Sequence, residues 1–145
     1  AYELWKKSKE TSGYFDEEGI LRGVGYIHEH DRLSVEWTAG AILAAQTVAD
    51  YYREDHPVWS RECRADARHL RQGIESLRRQ TGPDKAAYAY SSKRGWIPFG
   101  WNSHCPKVLS LASTGWVFFV DNQFNPFHLP SASGFSMPDT RLAGF

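Results

Sequence analysis

The segment 88–127 reads YAYSSKRGWIPFGWNSHCPKVLSLASTGWVFFVDNQFNPF, and it joins an aromatic, Gly- and Pro-broken loop to an almost uncharged run at 108–120. That run is too long for an ordinary strand, and apolar residues recur from Leu109 to Val120 at spacings of 3, 4 and 4. This spacing predicts a helix over 107–121. Because a helix that is apolar on every face has to be surrounded by protein, we expect the rest of the chain to pack around it.

The 145 residues are the length of one ordinary domain, and 17 basic residues balance 17 acidic ones. A balanced chain has no global field that would attract nucleic acid, so we expect no nucleic-acid partner. No apolar run reaches the length of a membrane span. Cys63 and Cys105 allow one disulfide or none, and we expect no cofactor and no metal.

Two more long helices are predicted before this segment. Residues 35–53 hold small residues among bulky apolar ones, which is typical of an inner helix that other helices approach closely. Residues 58–80 carry apolar groups on one side and many arginines on the others, which indicates an outer helix. A short helix at 1–9 must dock to be stable, and at most a short hairpin is expected near 14–28.

The order of these helices has a geometric consequence. If 35–53 and 107–121 are both inner helices and the one between them is outer and antiparallel, the two inner helices run parallel. The loops before them, at 28–36 and 90–104, then meet over one mouth.

The motif SVEWTAG at 34–40 and the loop and helix GWIPFGWNSHCPKVLSLASTGWVFFVDNQFNPF at 95–127 resemble the C-terminal portion of an (α/α) toroid. Toroids of this kind occur in many glycoside hydrolases and polysaccharide lyases. The resemblance is architectural and covers about 14–127. It implies a mainly α fold, an αα-hairpin array with irregular Gly/aromatic loops. The chain would be a single domain or the C-terminal fragment of a larger toroid, with an irregular tail at 128–145.

The same resemblance implies a carbohydrate-active enzyme, or a subunit or fragment of one, that binds and cleaves a polysaccharide or oligosaccharide at the inner-helix mouth. For such a protein a periplasmic or extracellular location is favoured. The alternative is a non-catalytic helical module for glycan binding or for assembly with another chain. Since two apolar inner helices have only one good outer helix, we also expect another polypeptide or a second copy to cover the exposed faces.

Acidic residues near the mouth are the catalytic candidates, because glycoside hydrolysis uses paired carboxylates. Glu36 in the first turn of an apolar helix is the first of them, and Asp31 or Glu29 is its possible partner. Glu36 is also explained as a helix-capping residue, or as one ion-paired with Arg32 or Arg94.

The cluster HEHD at 28–31 has a metal-binding alternative, but its spacing is weakly specific and surface hydrogen bonding is the favoured explanation. His104 beside Cys105 is a weak candidate for a nucleophilic thiol, because Cys105 precedes a proline and no orienting group is evident.

Trp96 and Trp101 are the main substrate-binding candidates, because an indole in an irregular loop either plugs the core or forms a platform for a ligand ring. We expect further mouth residues to contact the substrate, namely Tyr90, Asn102, Arg94 and His104. Trp37 and Trp116, on the inner helices, are expected in the core.

Overall fold

The computed structural model describes residues 1–26, 30–97, 101–103 and 107–127. These residues form four helices and seven short strands. In chain order they are α1 (Tyr2–Ser12), β1 (Gly13–Phe15), β2 (Leu21–Val24), α2 (Val35–Tyr51), α3 (Pro57–Glu75), β3 (Arg78–Gly82), β4 (Lys85–Ala89), β5 (Gly95–Ile97), β6 (Trp101–Ser103), β7 (Leu109–Ser110) and α4 (Leu111–Asp121).

The strands form three small antiparallel sheets. β1 pairs with β2, β5 pairs with β6, and β4 lies between β3 and β7 in a three-stranded sheet. β3 and β4 are consecutive in the chain and make a hairpin, whereas β7 adds to β4 just before α4 begins. The three-stranded sheet therefore fixes the starting point of α4.

The core lies between α2, α3 and α4. Ile42, Leu70, Ile74 and Val117 are fully buried there, and together they represent all three helices. A Cβ on Gly73 of α3 would lie 1.7 Å from the carbonyl oxygen of Arg22, so α3 packs directly on the backbone of β2. This close approach attaches the first hairpin to the helical core.

The predicted fold class and the toroid resemblance are wrong. A toroid fragment would repeat αα-hairpins along the chain, but here the only such pair is α2 and α3 among the described residues. Antiparallel strands follow α3 and precede α4 where the array required helix and loop. The chain is a mixed α and β fold with segregated sheets.

Two of the predicted helix boundaries are also wrong. The helix predicted over 58–80 ends at Glu75. Leu77 continues the apolar period and is buried, but residues 76–77 form a turn and β3 begins at Arg78. The helix predicted over 107–121 begins at Leu111, where the Ser110 hydroxyl accepts a hydrogen bond from the backbone N–H of Ser113 at 3.1 Å. Strand pairing with β4 uses Leu109 and the cap residue Ser110 itself.

Other predictions are confirmed. α1 forms and docks through buried Tyr2 and Trp5, and a hairpin follows it with a turn at 16–19. The expectation that the chain surrounds α4 is wrong, because Leu111 and Phe118 are exposed. The start of α2 and the segment before α4 do both contact the backbone at Tyr90, as expected if the two helices run parallel, and the N–H of Tyr90 donates to the carbonyl of Val108. The backbone N–H of Val35 donates to the carbonyl of Tyr90. The tail at 128–145 lies outside the described residues.

Candidate functional site

Two segments that are distant in sequence meet beside the first turn of α2, as predicted, and we call this meeting point the mouth. It comprises residues 31–36 and 90–94 together with Tyr26. Ser34 pairs with Ser91 in an antiparallel bridge. The backbone N–H of Leu33 donates to the Ser92 hydroxyl at 2.8 Å, and the backbone N–H of Ser92 donates to the carbonyl of Leu33 at 2.9 Å.

Charges lock the two segments of the mouth together. Asp31 binds Lys93 at 2.5 Å and the neighbouring Arg32 at 2.9 Å, and the side chain of Arg32 is only 7% exposed. The hydrogen bond from Lys93 holds the pKa of Asp31 below its usual range, with Arg32 adding to the effect. Asp31 is therefore held as an ion-paired anion, which makes it a poor proton donor at neutral pH.

Two stacked tyrosines form the inner wall of the mouth. The rings of Tyr26 and Tyr90 lie 6.0 Å apart and nearly parallel, and Trp37 meets Tyr26 edge-on at 6.4 Å. Burial raises the pKa of both tyrosines, and the nearby negative charge of Glu36 raises them further. Both phenols are therefore neutral at physiological pH and can take part in hydrogen bonds.

A cavity of about 910 Å³ forms an open groove that starts at the mouth and runs along α2. We call it the aromatic groove. It is bounded by 19 residues: Leu4, Trp5, Lys7, Ser8, Thr11, Ser12, Val24, Gly25, Glu36, Trp37, Gly40, Ala41, Leu43, Ala44, Thr47, Val48, Trp116, Asn125 and Phe127. α1 forms one wall, α2 the floor, and Trp116 with residues 125–127 the other wall.

Glu36 and Trp37 stand at the mouth end of the aromatic groove. Trp37 is 57% exposed, so the prediction that it lies in the core is wrong. Trp116 is half-buried and packs against the core. Among the described residues Glu36 forms no ion pair, since Arg32 turns to Asp31 instead. The first turn of α2 thus presents an indole and a carboxylate side by side to an open cavity.

The α1 wall is attached to α3 by two carboxylates. Tyr2 donates to Glu62, and the indole N–H of Trp5 donates to Asp66 at 2.8 Å. Lys9 reaches both carboxylates, at 3.1 Å to Glu62 and 2.7 Å to Asp66. Burial opposes the charge on Lys9, but these bonds outweigh it and raise the pKa of its ammonium group. The α1 wall of the groove is therefore held in place by ion pairs and hydrogen bonds to α3, and not by contacts with the groove floor alone.

The other predicted site residues lie at or after the end of the mouth segment 90–94 in the chain. Trp96 is on β5, while Trp101 and Asn102 are on β6, so the expectation of an irregular loop is wrong for all three. The sequence there shows no run of two-residue alternation, because Gly95, Pro98 and Gly100 punctuate it. Arg94 is exposed and precedes β5.

Four candidates lie outside the described residues, and they are listed together: His28, Glu29, His104 and Cys105. His30 of the HEHD cluster bonds through Nδ1 to the carbonyl of Gly13 at 2.7 Å. Within 1–26, 30–97, 101–103 and 107–127, no group of three His, Cys, Asp or Glu side chains is arranged to hold a metal ion. Cys63 is a free thiol in the core, where burial raises its pKa to about 11.

Comparison with family models, with curated proteins and with solved structures gives no match. None of the described helices is long and apolar enough to cross a membrane. The fold and the site therefore define the chain only by class. It is a mixed α and β domain with an open, aromatic-walled groove, and the carboxylate of Glu36 at its mouth end forms no ion pair with the residues that the structure describes.

Proposed function

We propose that the aromatic groove binds an oligosaccharide, with the indole of Trp37 as the platform for one sugar ring. The exposure of Trp37 carries this proposal, because a large indole in the first turn of an apolar helix gains little by facing water. The apolar C–H face of a sugar ring is a suitable cover for it. Ligand sites commonly combine such apolar surface with a few placed polar groups.

The walls of the groove supply those polar groups. Ser8 and Thr11 of α1, Thr47 of α2 and Asn125 line the groove. Hydroxyls and amides both donate and accept hydrogen bonds, as sugar hydroxyls require. Of the described residues that line the groove, Lys7 and Glu36 are charged, one of each sign. This balance favours a neutral oligosaccharide over a strongly acidic one.

Cleavage is part of the proposal only through Glu36. Hydrolysis of a glycosidic bond adds water across it: one carboxylic acid protonates the leaving oxygen, and one carboxylate activates the water or attacks the sugar. Glu36 is available for one of these roles because it has no ion-pair partner among the described residues. Asp31 is held by Lys93 and Arg32, so we do not propose it as the acid.

The test is to titrate the chain with a panel of neutral and acidic oligosaccharides. Calorimetry measures binding, and analysis of the products measures cleavage. Trp37→Ala should weaken binding by roughly 1–3 kcal/mol, on the scale of stacking on an aromatic side chain. Tyr51→Ala is the matched control, because Tyr51 is an exposed aromatic on the same helix but lies outside the groove. Binding that is unchanged by Trp37→Ala, or equally changed by both variants, would refute the platform.

Glu36→Gln separates binding from cleavage. It keeps the shape of the side chain but removes the ionisable proton, so turnover should be lost while binding is retained. If wild-type protein binds oligosaccharide without any turnover, the non-catalytic glycan-binding alternative is the correct one.

Assembly with another polypeptide is the second candidate function, and one observation favours it. The groove floor contains Gly40, Ala41 and Ala44, which would let a second helix approach α2 closely. Ala44→Arg separates the two occupants, since it lies two turns from Trp37. A disaccharide on Trp37 should tolerate this change, whereas a helix along the floor should not.

A further inference from the structure

The outer face of α4 is apolar and exposed. Leu111 is 90% exposed and Phe118 is 62% exposed, and the two lie almost above one another because seven residues make nearly two full turns. Gly115 lies between them on the same face, and a Cβ there would meet no atom within 4 Å. This face therefore consists of two large apolar side chains on either side of a gap.

The exposed face continues beyond the end of the helix. The ring of Phe118 lies 6.4 Å from that of Phe119, which in turn lies 5.4 Å from the ring of Phe124. Phe124 is 56% exposed. Since a large apolar side chain presents roughly 150–250 Å² when fully exposed, Leu111, Phe118 and Phe124 together leave roughly 300–500 Å² in water. That is about half of one side of a standard protein interface, which buries about 800 Å² per partner.

The charges around this face make it complementary to itself. No charged residue occurs from 108 to 120, so two copies of the face bring no like charges together. Lys107 precedes the run and Asp121 ends it. In an antiparallel pair of such helices, each Lys107 lies towards the Asp121 of the other copy. Arg71 already binds Asp121 at 2.9 Å, but 47% of the Asp121 side chain stays exposed.

We propose that α4 is a homodimer interface, in which two copies of α4 pack antiparallel about a twofold axis at Gly115. The axis brings Leu111 of one copy towards Phe118 of the other, twice over, as an isologous interface requires. Gly115 lets the helix backbones approach closely where they cross. A second copy is the occupant that fits this face. A twofold axis places apolar side chains against apolar side chains, the gap at Gly115 against the same gap, and the positive end of one helix against the negative end of the other.

This interface is separate from the sugar platform. Trp37 and Glu36 line the aromatic groove, whereas Leu111 and Phe118 do not. Failure of oligosaccharide binding would therefore leave the dimer intact, and failure of the dimer would leave binding at Trp37 intact.

The test is the molar mass of the full chain by sedimentation equilibrium, from 1 to 100 μM protein. Wild type should reach twice the monomer mass within this range, and Phe118→Glu should remain monomeric because it places two carboxylates at the interface. Val58→Glu is the matched control, since Val58 is also 62% exposed but lies in the first turn of α3. It should dimerise like wild type. Circular dichroism of each variant verifies that the chain is folded.

Mixing two variants identifies the contact itself. Leu111→Lys and Phe118→Glu should each be monomeric alone, but an equimolar mixture should form a heterodimer in which the new lysine meets the new glutamate. Three results would overturn the proposal: a wild type that stays monomeric at 100 μM, a Phe118→Glu variant that still dimerises, or a mixture of the two folded variants that remains monomeric.

Discussion

Removing the carboxylate of Asp66 should release the α1 wall of the aromatic groove without unfolding the domain. Asp66 accepts hydrogen bonds from the indole of Trp5 at 2.8 Å and from Lys9 at 2.7 Å. The side chains of Lys9 and Asp66 are only 17% and 13% exposed, so solvent screens them little. An isolated helix of 11 residues is marginal in water, so α1 depends on these contacts.

The size of the effect follows from the bonds lost. Hydrogen bonds to charged groups contribute about 1.5–3 kcal/mol each. In Asp66→Ala the indole of Trp5 loses its partner, while Lys9 keeps Glu62 at 3.1 Å. We therefore expect the free energy of opening α1 to fall by about 2–4 kcal/mol. Because 1.4 kcal/mol is a factor of ten, amides of α1 should exchange with solvent roughly 30 to 700 times faster.

Hydrogen exchange measured by mass spectrometry resolves α1 from the rest of the chain. Glu3→Ala is the matched control, because Glu3 lies on the same helix and pairs with Lys6 at 2.9 Å but is 78% exposed. That surface pair should change exchange less than threefold. Oligosaccharide affinity should fall in Asp66→Ala and not in Glu3→Ala, since only the first loses a groove wall. Unchanged exchange of α1 in Asp66→Ala would refute the attachment.

Two further predictions concern the scaffold and the mouth. Gly73→Ala should lower the free energy of unfolding by roughly 1–3 kcal/mol, because its Cβ would overlap the Arg22 carbonyl. Gly40→Ala should raise the free energy of unfolding by about 0.5–1 kcal/mol, because its Cβ would meet no atom within 4 Å and alanine favours the helix. Urea unfolding of wild type and both variants measures the two changes. Asp31 has a lower pKa in the folded chain than in the unfolded chain, where its pKa is about 3.9. Its ion pairs therefore stabilise the fold fully above about pH 3.9, and this stabilisation is lost as the pH falls through the folded pKa. The melting temperatures of wild type and Lys93→Met should therefore converge below about pH 4, and a constant difference down to pH 2 would contradict this.

Local patterns in the sequence were sufficient for much of the helical framework. Periodicity predicted α2 to within two residues, and small residues among bulky ones correctly indicated an inner helix. The parallel arrangement of α2 and α4 placed the loops before them together, and the contacts between Asp31 and Lys93 and between Ser34 and Ser91 confirm that meeting. These features could be predicted because helix period and helix order depend on residues close together in the chain.

The sheets and the groove were decided by the tertiary structure. Apolar spacing runs past Glu75 and begins before Leu111, but pairing with β4 turns both flanking segments into strands. The β4–β7 pairing joins strands that are not consecutive in the chain, and strand formation depends on such neighbours more than on local preference. The exposure of Trp37 was also decided by the tertiary structure, because it depends on which elements pack beside the first turn of α2 rather than on the helix that carries the residue. By itself the sequence determined which segments are helical and which loops meet. Only packing between elements determined which faces stayed open to a ligand, because burial is a property of neighbours that no local pattern specifies.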